Sequence, residues 1–300
     1  MKRPLAGALG AGLAGLAGLA RLRRGWTHRH DELRLRVELA LRFEPRTDDV
    51  FIAGYPRSGA TLVQMMLLAL TGAGDLGFLH VASRSPTLDL ELLRGNARFL
   101  AALPSPRLLR SFRRREELPR RGRFIYVARD LLDVAVSAYH YDSLLAGRDA
   151  DLERFLRRFP RKPLGLSCSW VEHLRSWGPQ RGAAGVLFLN YDEMVADLDG
   201  TIRRVAAFCA LGLDERELPR IRERCELGFM KRHAEKFDPR LRQLSPRPLS
   251  FIRRGESGTG RRELSPAHRE LFAARLAALA RRLDVDSGEP LARLFRAEPE

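Results

Sequence analysis

Lysine is scarce in this chain of 300 residues: only four are present, although lysine and arginine together number 53. Arginine therefore supplies nearly all of the formal net charge of +16. A surface of this kind favours anionic partners. The arginines are spread along the whole chain among Asp and Glu rather than gathered in one tail or helix. The charge therefore does not predict a specific nucleic-acid partner.

Cysteine is also scarce, and its spacing excludes two common uses of this residue. The three cysteines, Cys168, Cys209 and Cys225, contain no CxxC pair. Neither a zinc site nor an even-numbered disulfide framework is indicated. We therefore expect no metal ion and a reducing, cytoplasmic compartment.

Long apolar runs are missing as well. The longest, Leu5–Ala20, consists of Leu, Ala and Gly between basic residues. It is shorter than the ~20 residues that a spanning helix needs, and no clear cleavage site of a signal peptide follows it. We predict that residues 1–30 form a low-complexity extension capable of a weak contact with a membrane or a partner. A single domain is expected over residues 45–296.

Apolar runs that end in turn residues predict four strands. They are Val50–Gly54, Arg107–Arg110, Phe124–Ala128 and Val186–Asn190. Segments with helical spacing of apolar residues follow three of them, at Thr61–Leu70, Leu131–Tyr141 and Leu198–Cys209. Such repeated β–α units predict an α/β fold with a mostly parallel sheet.

The C-terminal third of the sequence combines further helices with one long loop. Helical spacing recurs at Ser169–Trp177, Glu215–Cys225 and Pro266–Leu283. Between the last two, Phe237–Arg262 holds three prolines, then three glycines, and no sustained period. It is predicted to be a long irregular loop, and long loops in compact domains are usually functional or disordered.

The strongest functional signal is Val50–Thr61, VFIAGYPRSGAT, in which a strand, a turn with two glycines and a helix start follow one another. Backbone N–H groups at such a turn bind an anion with help from the helix dipole. The spacing approaches the GxxxxGK[ST] pattern of nucleotide triphosphatases, but Ala60 replaces its lysine. The cation is instead Arg57, which could clamp a terminal anionic group while Ser58 and Thr61 add hydroxyl donors. A tight turn with a surface arginine is the alternative.

A second signal lies in Phe124–Ser137, where Arg129 closes a strand and Ser137 follows about two turns into the next helix. Ligands in such folds bind outside the carboxyl ends of the strands. Both residues could therefore face the phosphate loop and hold a second phosphate. Taken alone, they are better explained as a solvated strand-end arginine and a helix-packing serine.

Together with a third segment, these two motifs resemble the three cofactor motifs of the cytosolic-type sulfotransferases. The third segment is Phe251–Arg261, FIRRGESGTGR, which is similar to the RKGxxGxWK loop of that family. The similarity runs from about Asp48 to Leu283, with the motifs in the family's order and spacing. It implies a three-layer αβα fold of the P-loop type. It also implies transfer of a sulfuryl group from 3′-phosphoadenosine 5′-phosphosulfate (PAPS) to a hydroxyl or amine on a small molecule or glycan.

The resemblance also implies a role for each motif. The 5′-phosphosulfate would be held by the phosphate loop, through Arg57, Ser58, Gly59, Ala60 and Thr61. The 3′-phosphate would be bound by residues of the second and third motifs, namely Arg129, Ser137, Arg253, Arg254 and Gly255. Adenine would contact Tyr191, Cys225 and Met230. Two family tryptophans are replaced, one by Leu62 after the phosphate loop and the other by Gly260.

The most serious departure from the family concerns proton removal. Sulfotransferases of this type take the acceptor's proton with a histidine in a Lys-Thr-His segment, and Phe112 stands at its position here. Two positions away, Arg110 keeps a cation that could stabilise the transferring sulfuryl group. Arg57 and Arg110 are therefore expected to act in catalysis, whereas the proton acceptor is not evident.

Three explanations of Phe112 remain open. Another residue serves as the base, with His80 assigned here and Glu116 or Glu117 as alternatives; the alignment is locally shifted; or the protein binds the donor without turnover. Two rival functions also remain. One is a nucleotide kinase or triphosphatase, against which Ala60 argues, and the other is a non-enzymatic protein that binds the cofactor or nucleic acid. The segments expected to shape the acceptor pocket do not identify the acceptor: they are Gly77–Leu93, Tyr139–Arg148 and Phe237–Ser250.

Overall fold

A computed structural model describes residues 30–72, 76–146, 151–161, 163–237, 252 and 255–282. Four strands form its sheet: β1 (Val50–Gly54), β2 (Leu108–Ser111), β3 (Arg123–Ala128) and β4 (Val186–Asn190). All neighbours are parallel, in the order β2-β1-β3-β4. The predicted parallel sheet is confirmed, and each strand lies within one residue of its predicted bounds.

Helices connect the strands. The α-helices of the described residues are α1 (30–42), α2 (Ala60–Leu70), α3 (Leu88–Leu93), α4 (Ala97–Ala101), α5 (Leu131–Ala146), α6 (Leu152–Arg158), α7 (Trp170–Trp177), α8 (Tyr191–Ala196), α9 (Leu198–Cys209), α10 (Leu218–Cys225), α11 (Leu227–Arg232), α12 (Thr259–Glu263) and α13 (Pro266–Arg282). Short 3₁₀ helices occur at Val81–Ser83, Arg115–Glu117, Phe159–Arg161, Gly178–Gln180 and Ala234–Lys236. Every helix predicted from spacing is present, although α5 runs five residues past its predicted end at Tyr141.

The central strand β1 shows why the fold has three layers. All five of its residues are buried, and successive side chains of a strand point to opposite faces. Val50 and Ile52 join a core cluster with α2, α9 and α10. Phe51 and Ala53 join a second cluster with α3, α4 and α7. An unbroken apolar run is therefore what a parallel strand with both faces covered requires.

The prediction of Phe237–Arg262 as one irregular loop is wrong at its end, because Thr259–Glu263 forms α12. Asp133, in α5, accepts hydrogen bonds from the backbone N–H groups of Gly258 (3.0 Å) and Gly260 (2.6 Å). These groups at the start of the short helix therefore find their partner in a distant carboxylate rather than in a local cap. No local sequence signal reveals such a partner.

The N-terminal side of the domain begins with α1, which the sequence did not predict. Leu35 of α1 and Phe43 beyond it are buried in the cluster beneath β1. Residues 1–29, which carry most of the predicted extension, lie outside the described residues. Within the described ranges, no helix combines the length and the hydropathy needed to cross a membrane.

A buried ion pair joins β1 and β2 at their N-terminal ends. Arg107 Nε and Nη2 each lie 2.6 Å from a carboxylate oxygen of Asp49, and the two side chains are 2% and 0% exposed. The guanidinium also donates to the carbonyls of Leu100 and Glu44 and lies 4.8 Å from the ring centroid of Phe43. Extra hydrogen bonds of this kind are what make a buried pair tolerable.

Removing one partner of this pair is expected to destabilise the fold strongly. Arg107→Met leaves the Asp49 carboxylate buried without its counter-ion, which typically costs ~3–5 kcal/mol of unfolding free energy. Arg203→Met breaks an exposed pair with Glu215 and serves as the matched control, with an expected cost below ~1 kcal/mol. Urea unfolding at pH 7 measures both variants. Equal losses would contradict the role assigned to Arg107.

Candidate functional site

The phosphate loop joins β1 to α2 at the C-terminal edge of the sheet. Its backbone is left-handed at Arg57 (φ 77°) and at Gly59 (φ 104°). This conformation is uncommon for a residue other than glycine, and functional sites are where such strain tends to persist. The helix α2 then starts at Ala60 without a capping side chain among the described residues and without an acidic residue in its first turn. Its positive end is therefore suited to an anion.

Tyr191, the first residue of α8, connects the three motifs. Its ring packs so closely on Gly59 that a Cβ there would lie 2.3 Å from Cδ2 of the ring. Its hydroxyl donates to the carbonyl of Gly255 at 3.0 Å. The guanidinium of Arg129 lies 4.2 Å from the centre of the same ring. The three motifs that are far apart in the sequence therefore meet around one side chain.

Arg57 bridges the phosphate loop to the second motif. Its Nε donates to Ser137 Oγ at 3.0 Å, and its guanidinium lies 5.2 Å from the ring centroid of Tyr141. Both partners belong to α5. Ser58 is 3% exposed, and its backbone N–H donates to the Tyr55 carbonyl within the turn. The residues predicted for the two ends of the donor are thus brought together, with Arg57 and Ser137 in direct contact.

Arg129, which directly follows β3, is held by two partners among the described residues. Its Nη2 donates to the Glu256 carbonyl (3.0 Å) and to Asp133 Oδ2 (3.4 Å). Its Nε is buried and has no hydrogen-bond partner among the described residues. A buried donor without a partner costs ~1–3 kcal/mol and calls for an explanation. The Nε atoms of Arg114 and Arg115 are in the same position, so a missing partner does not by itself indicate a ligand. Arg253 and Arg254, predicted to join this site, lie outside the described residues, as does 238–251.

The residues predicted to contact adenine share one apolar cluster beside the phosphate loop. Tyr191, Cys225 and Met230 all belong to it, together with Leu62. Burial raises the pKa of the Cys225 thiol to about 12, so the group is neutral and acts as an apolar contact. Leucine takes the place of an aromatic stacking partner, whose contribution is typically ~1–3 kcal/mol per base.

Arg110, near the end of the edge strand β2, is held by neutral groups. Its Nε and Nη2 donate to Thr87 Oγ1 at 3.0 and 2.7 Å, and its guanidinium lies 5.0 Å from the ring centroid of Phe112. Burial lowers the pKa of Arg110 to about 10, although Asp89 and Tyr141 act in the opposite direction. Arg110 therefore remains charged at neutral pH.

His80, predicted as the replacement base, caps a helix. It precedes the 3₁₀ helix Val81–Ser83, and its Nδ1 accepts a hydrogen bond from the Ala82 N–H at 3.1 Å. This hydrogen bond assigns the proton of the neutral ring to Nε2. The nitrogen that could accept a proton is therefore Nδ1, and it already accepts the hydrogen bond from the Ala82 N–H. Proton abstraction by His80 requires that the ring release its cap.

The alternative carboxylates also have partners. Glu117 forms ion pairs with three arginines, Arg36, Arg113 and Arg114. Burial opposes ionisation, but the Arg114 hydrogen bond and the nearby charges hold the pKa of Glu117 below its usual value. A carboxylate of this kind is a poor proton acceptor. Glu116 is more exposed and accepts a hydrogen bond from Ser176 Oγ.

His173, in α7, was not predicted from the sequence as part of the site, although the Phe112 backbone contributes to its environment. Its ring is fully buried and lies 5.7 and 5.8 Å from those of Tyr126 and Tyr55, with Nδ1 3.2 Å from Tyr126 Oη. Burial lowers the pKa of His173 to about 3, although Glu117 and the Phe112 carbonyl raise it. The imidazole is therefore neutral. Its only sequence signal is a histidine on the apolar side of a predicted helix, which is usually structural.

Comparison with known proteins finds relatives of this chain in both sequence and fold. Residues 47–283 match the family model described as the sulfotransferase domain. The chain is 28% identical over 258 residues to luciferin sulfotransferase of Photinus pyralis, covering 74% of this chain and 69% of that protein. It is 30% identical over 200 residues to human sulfotransferase 4A1, covering 63% and 69%. Its fold is similar to that of mouse sulfotransferase SULT7A1 complexed with PAP, with a TM-score of 0.67, 20% identity and coverage of 87% and 92%.

The buried neutral imidazole of His173 predicts a pH dependence of stability. Its pKa is about 3 in the folded protein and ~6.5 in the unfolded chain, so the unfolded state binds the proton first. The stability due to this residue is therefore present above pH ~6.5 and is lost towards pH 3 at ~1.4 kcal/mol per pH unit. Between pH 7 and 5, urea unfolding should show that His173→Gln loses ~2 kcal/mol less stability than the wild type.

A second buried group, Asp89, also makes the stability depend on pH, but its contribution cancels in the comparison of the two proteins. Burial raises the pKa of Asp89 despite its hydrogen bond from the Phe112 N–H, and a raised carboxyl pKa lowers stability as the pH increases. Its effect thus has the opposite sign but is common to both proteins. The difference between them isolates His173, and parallel pH curves would show that its imidazole is not buried in neutral form.

Proposed function

The chain belongs to the sulfotransferase family, and we propose that its PAPS-dependent sulfuryl transfer acts on a hydroxyl or amine group of a small organic molecule. The observation that carries the proposal is the guanidinium of Arg129, which is held by Asp133, by the Glu256 carbonyl and by the ring of Tyr191. It lies in the same cluster of motifs as the strained phosphate loop around Arg57. The loop and this guanidinium would provide the two anion sites that a donor phosphorylated at both ends needs.

The proposed mechanism rests on fixed positive charge. PAPS supplies the sulfuryl group and leaves as adenosine 3′,5′-bisphosphate. Arg57 and the N-terminal end of α2 bind the phosphosulfate, with Ser58 and Thr61 as further donors and with Gly59 and Ala60 allowing close approach. Arg110 stabilises the charge that develops on the sulfuryl oxygens. Groups held in place before the reaction require no reorganisation during it, which is the main source of such electrostatic catalysis.

The nucleoside end of the donor is assigned to the other two motifs. Arg129 and Ser137 bind the 3′-phosphate, together with Arg253, Arg254 and Gly255 of the third motif. The adenine contacts the apolar cluster through Tyr191, Cys225 and Met230. Recognition of the 3′-phosphate distinguishes a sulfotransferase from a nucleotide kinase, whose substrates lack that group.

The acceptor and the compartment complete the proposal. The relative named luciferin sulfotransferase supports a small-molecule acceptor. The three free cysteines, of which Cys209 and Cys225 are buried, suit a reducing cytoplasm. Many arginines are engaged in ion pairs with Asp or Glu, as at Arg107, Arg203 and Arg220, which argues against a specific nucleic-acid surface.

Three observations favour a second candidate, a protein that binds PAPS or its product without turnover. Phe112 carries no proton acceptor, the basic nitrogen of His80 caps a helix, and Glu117 is bound by arginines. Donor binding depends on none of these three residues. Binding and transfer must therefore be measured separately.

Adenosine 3′,5′-bisphosphate is expected to stabilise the protein in the absence of Mg²⁺, and ATP with Mg²⁺ much less. Saturation at a hundred times the dissociation constant contributes ~2.7 kcal/mol, which thermal unfolding detects. Arg57→Ala should reduce this stabilisation, whereas Arg203→Ala, which removes the same charge from an exposed helix surface, should not. Equal stabilisation by both nucleotides would reject the sulfotransferase reading and support the kinase.

The missing base is tested by transfer of ³⁵S-labelled sulfate from PAPS to a panel of phenols, alcohols and amines. A general base contributes ~10²- to 10⁴-fold to the rate. If His80 or Glu116 has taken over this role, His80→Ala or Glu116→Gln should lower an ordinary wild-type rate by at least ~100-fold, and Phe112→His should add little. A wild-type rate near background that Phe112→His raises would indicate a lost base. Binding without transfer by either protein would favour the second candidate.

A further inference from the structure

A single buried carboxylate joins the second motif to the third. The Asp133 side chain, in the first turn of α5, is 0% exposed. Its two oxygens accept hydrogen bonds from the backbone N–H groups of Gly258 (3.0 Å) and Gly260 (2.6 Å). Its Oδ2 also lies 3.4 Å from Arg129 Nη2. The mechanism above assigns no role to this group.

This contact helps to fix the orientation of the Arg129 guanidinium. Nη2 is shared between Asp133 and the Glu256 carbonyl, and the ring of Tyr191 lies 4.2 Å from the guanidinium carbon. An arginine side chain otherwise has many rotamers, and fixing one of them has an entropic cost of up to ~2 kcal/mol. Held in this way, the guanidinium keeps one orientation before a ligand binds.

The third motif is seated tightly on the same carboxylate. A Cβ on Gly260 would lie 2.4 Å from the backbone carbon of Leu132 and 2.7 Å from the backbone nitrogen of Asp133. Glycine at this position therefore lets the turn approach α5 closely enough for both N–H groups to reach Asp133. The same turn also supplies the Glu256 carbonyl, which accepts a hydrogen bond from Arg129. The carboxylate, the turn and the arginine thus form one closed set of contacts.

We propose that Asp133 is a positioning residue that acts through Arg129 and sets the preference of the site for a 3′-phosphorylated nucleotide. The inference rests on the proposed function, because it takes the 3′-phosphate as the anion that Arg129 binds. Asp133 does not touch the ligand. It holds the guanidinium in one orientation beside Tyr191, and it keeps the turn of the third motif in place.

The test compares adenosine 3′,5′-bisphosphate with adenosine 5′-monophosphate, using calorimetric dissociation constants at a temperature where every variant is folded. Asp133→Asn removes the charge and one of the two acceptor oxygens while keeping the shape. The affinity for the bisphosphate should fall about 10- to 100-fold, as expected for a lost charge-assisted contact. The affinity for the monophosphate should change less than about threefold, since it lacks the group that Arg129 reads.

The matched control is Glu263→Gln. Glu263 also ties α12 to α5, through a 2.6 Å contact with His140, but it is not a partner of Arg129. If a loosened turn were enough to lose the preference, Glu263→Gln would lose it as well, and the positioning role would be overturned. We expect this variant to retain the wild-type ratio of the two affinities.

A double-mutant cycle separates an effect through Arg129 from a general one. In an Arg129→Ala background the ratio should already be low, and Asp133→Asn should lower it no further. Independent, multiplicative losses would overturn the inference, as would a wild-type ratio in the single Asp133→Asn variant. A wild type without any preference for the bisphosphate would instead reject the proposed function.

Gly260→Ala provides a second route if Asp133→Asn does not fold. The added Cβ displaces the turn from α5 by the clash with Leu132 described above and withdraws its N–H groups from Asp133. The preference for the bisphosphate should fall in the same direction, again only when Arg129 is present. An unchanged ratio in this variant would overturn the proposal.

Discussion

The parallel pairing of β1 with β2 on one side and β3 on the other is the constraint on which the site depends. Ala53 pairs with Ser111 and Gly54 with Val127, so neighbouring strands end almost level. In parallel sheets the residues that follow the strands emerge at one edge. The first two motifs and Tyr191 therefore start within a residue of a strand end and need no long loop to reach one another. Gly54 is part of this constraint, since a Cβ there would lie 2.9 Å from the Val127 carbonyl.

Arg110 differs from the structural Arg107 in what holds it. Arg107 forms an ion pair with Asp49 at the N-terminal ends of the strands, away from the site, and the carboxylate neutralises its charge. Arg110 is held by the hydroxyl group of Thr87. A neutral partner fixes the geometry of a guanidinium without cancelling its charge. The end of β2 thus presents a cation whose position is set before a ligand arrives, which suits an anionic donor.

Local sequence patterns predicted the strands and the phosphate loop because the physical causes of both lie within a few residues. The apolar run of β1 and the glycine turn after it are examples. The partners of Asp133 could not be predicted in this way, because Gly258 and Gly260 lie more than a hundred residues further along the chain. His80 shows the same limit in a different form. Its residue type allowed a base, but the backbone geometry that turned it into a helix cap is not encoded by residue type.

The replacement of the family's histidine by Phe112 leaves the proposed donor-binding residues unaffected, and the reason is the order of the strands. The residues proposed to bind the donor come from the ends of β1, β3 and β4, from α5, α10 and α11, and from the third motif. Phe112 instead follows β2 at one edge of the described sheet. Arg129 and Tyr191 therefore keep their mutual contact whatever residue occupies that position. Proton removal and donor binding are separable in this architecture, since the two tasks fall on different strand ends. A phenylalanine at the end of β2 can remove the usual base while leaving the anion sites intact, so conservation of the donor site does not by itself imply turnover.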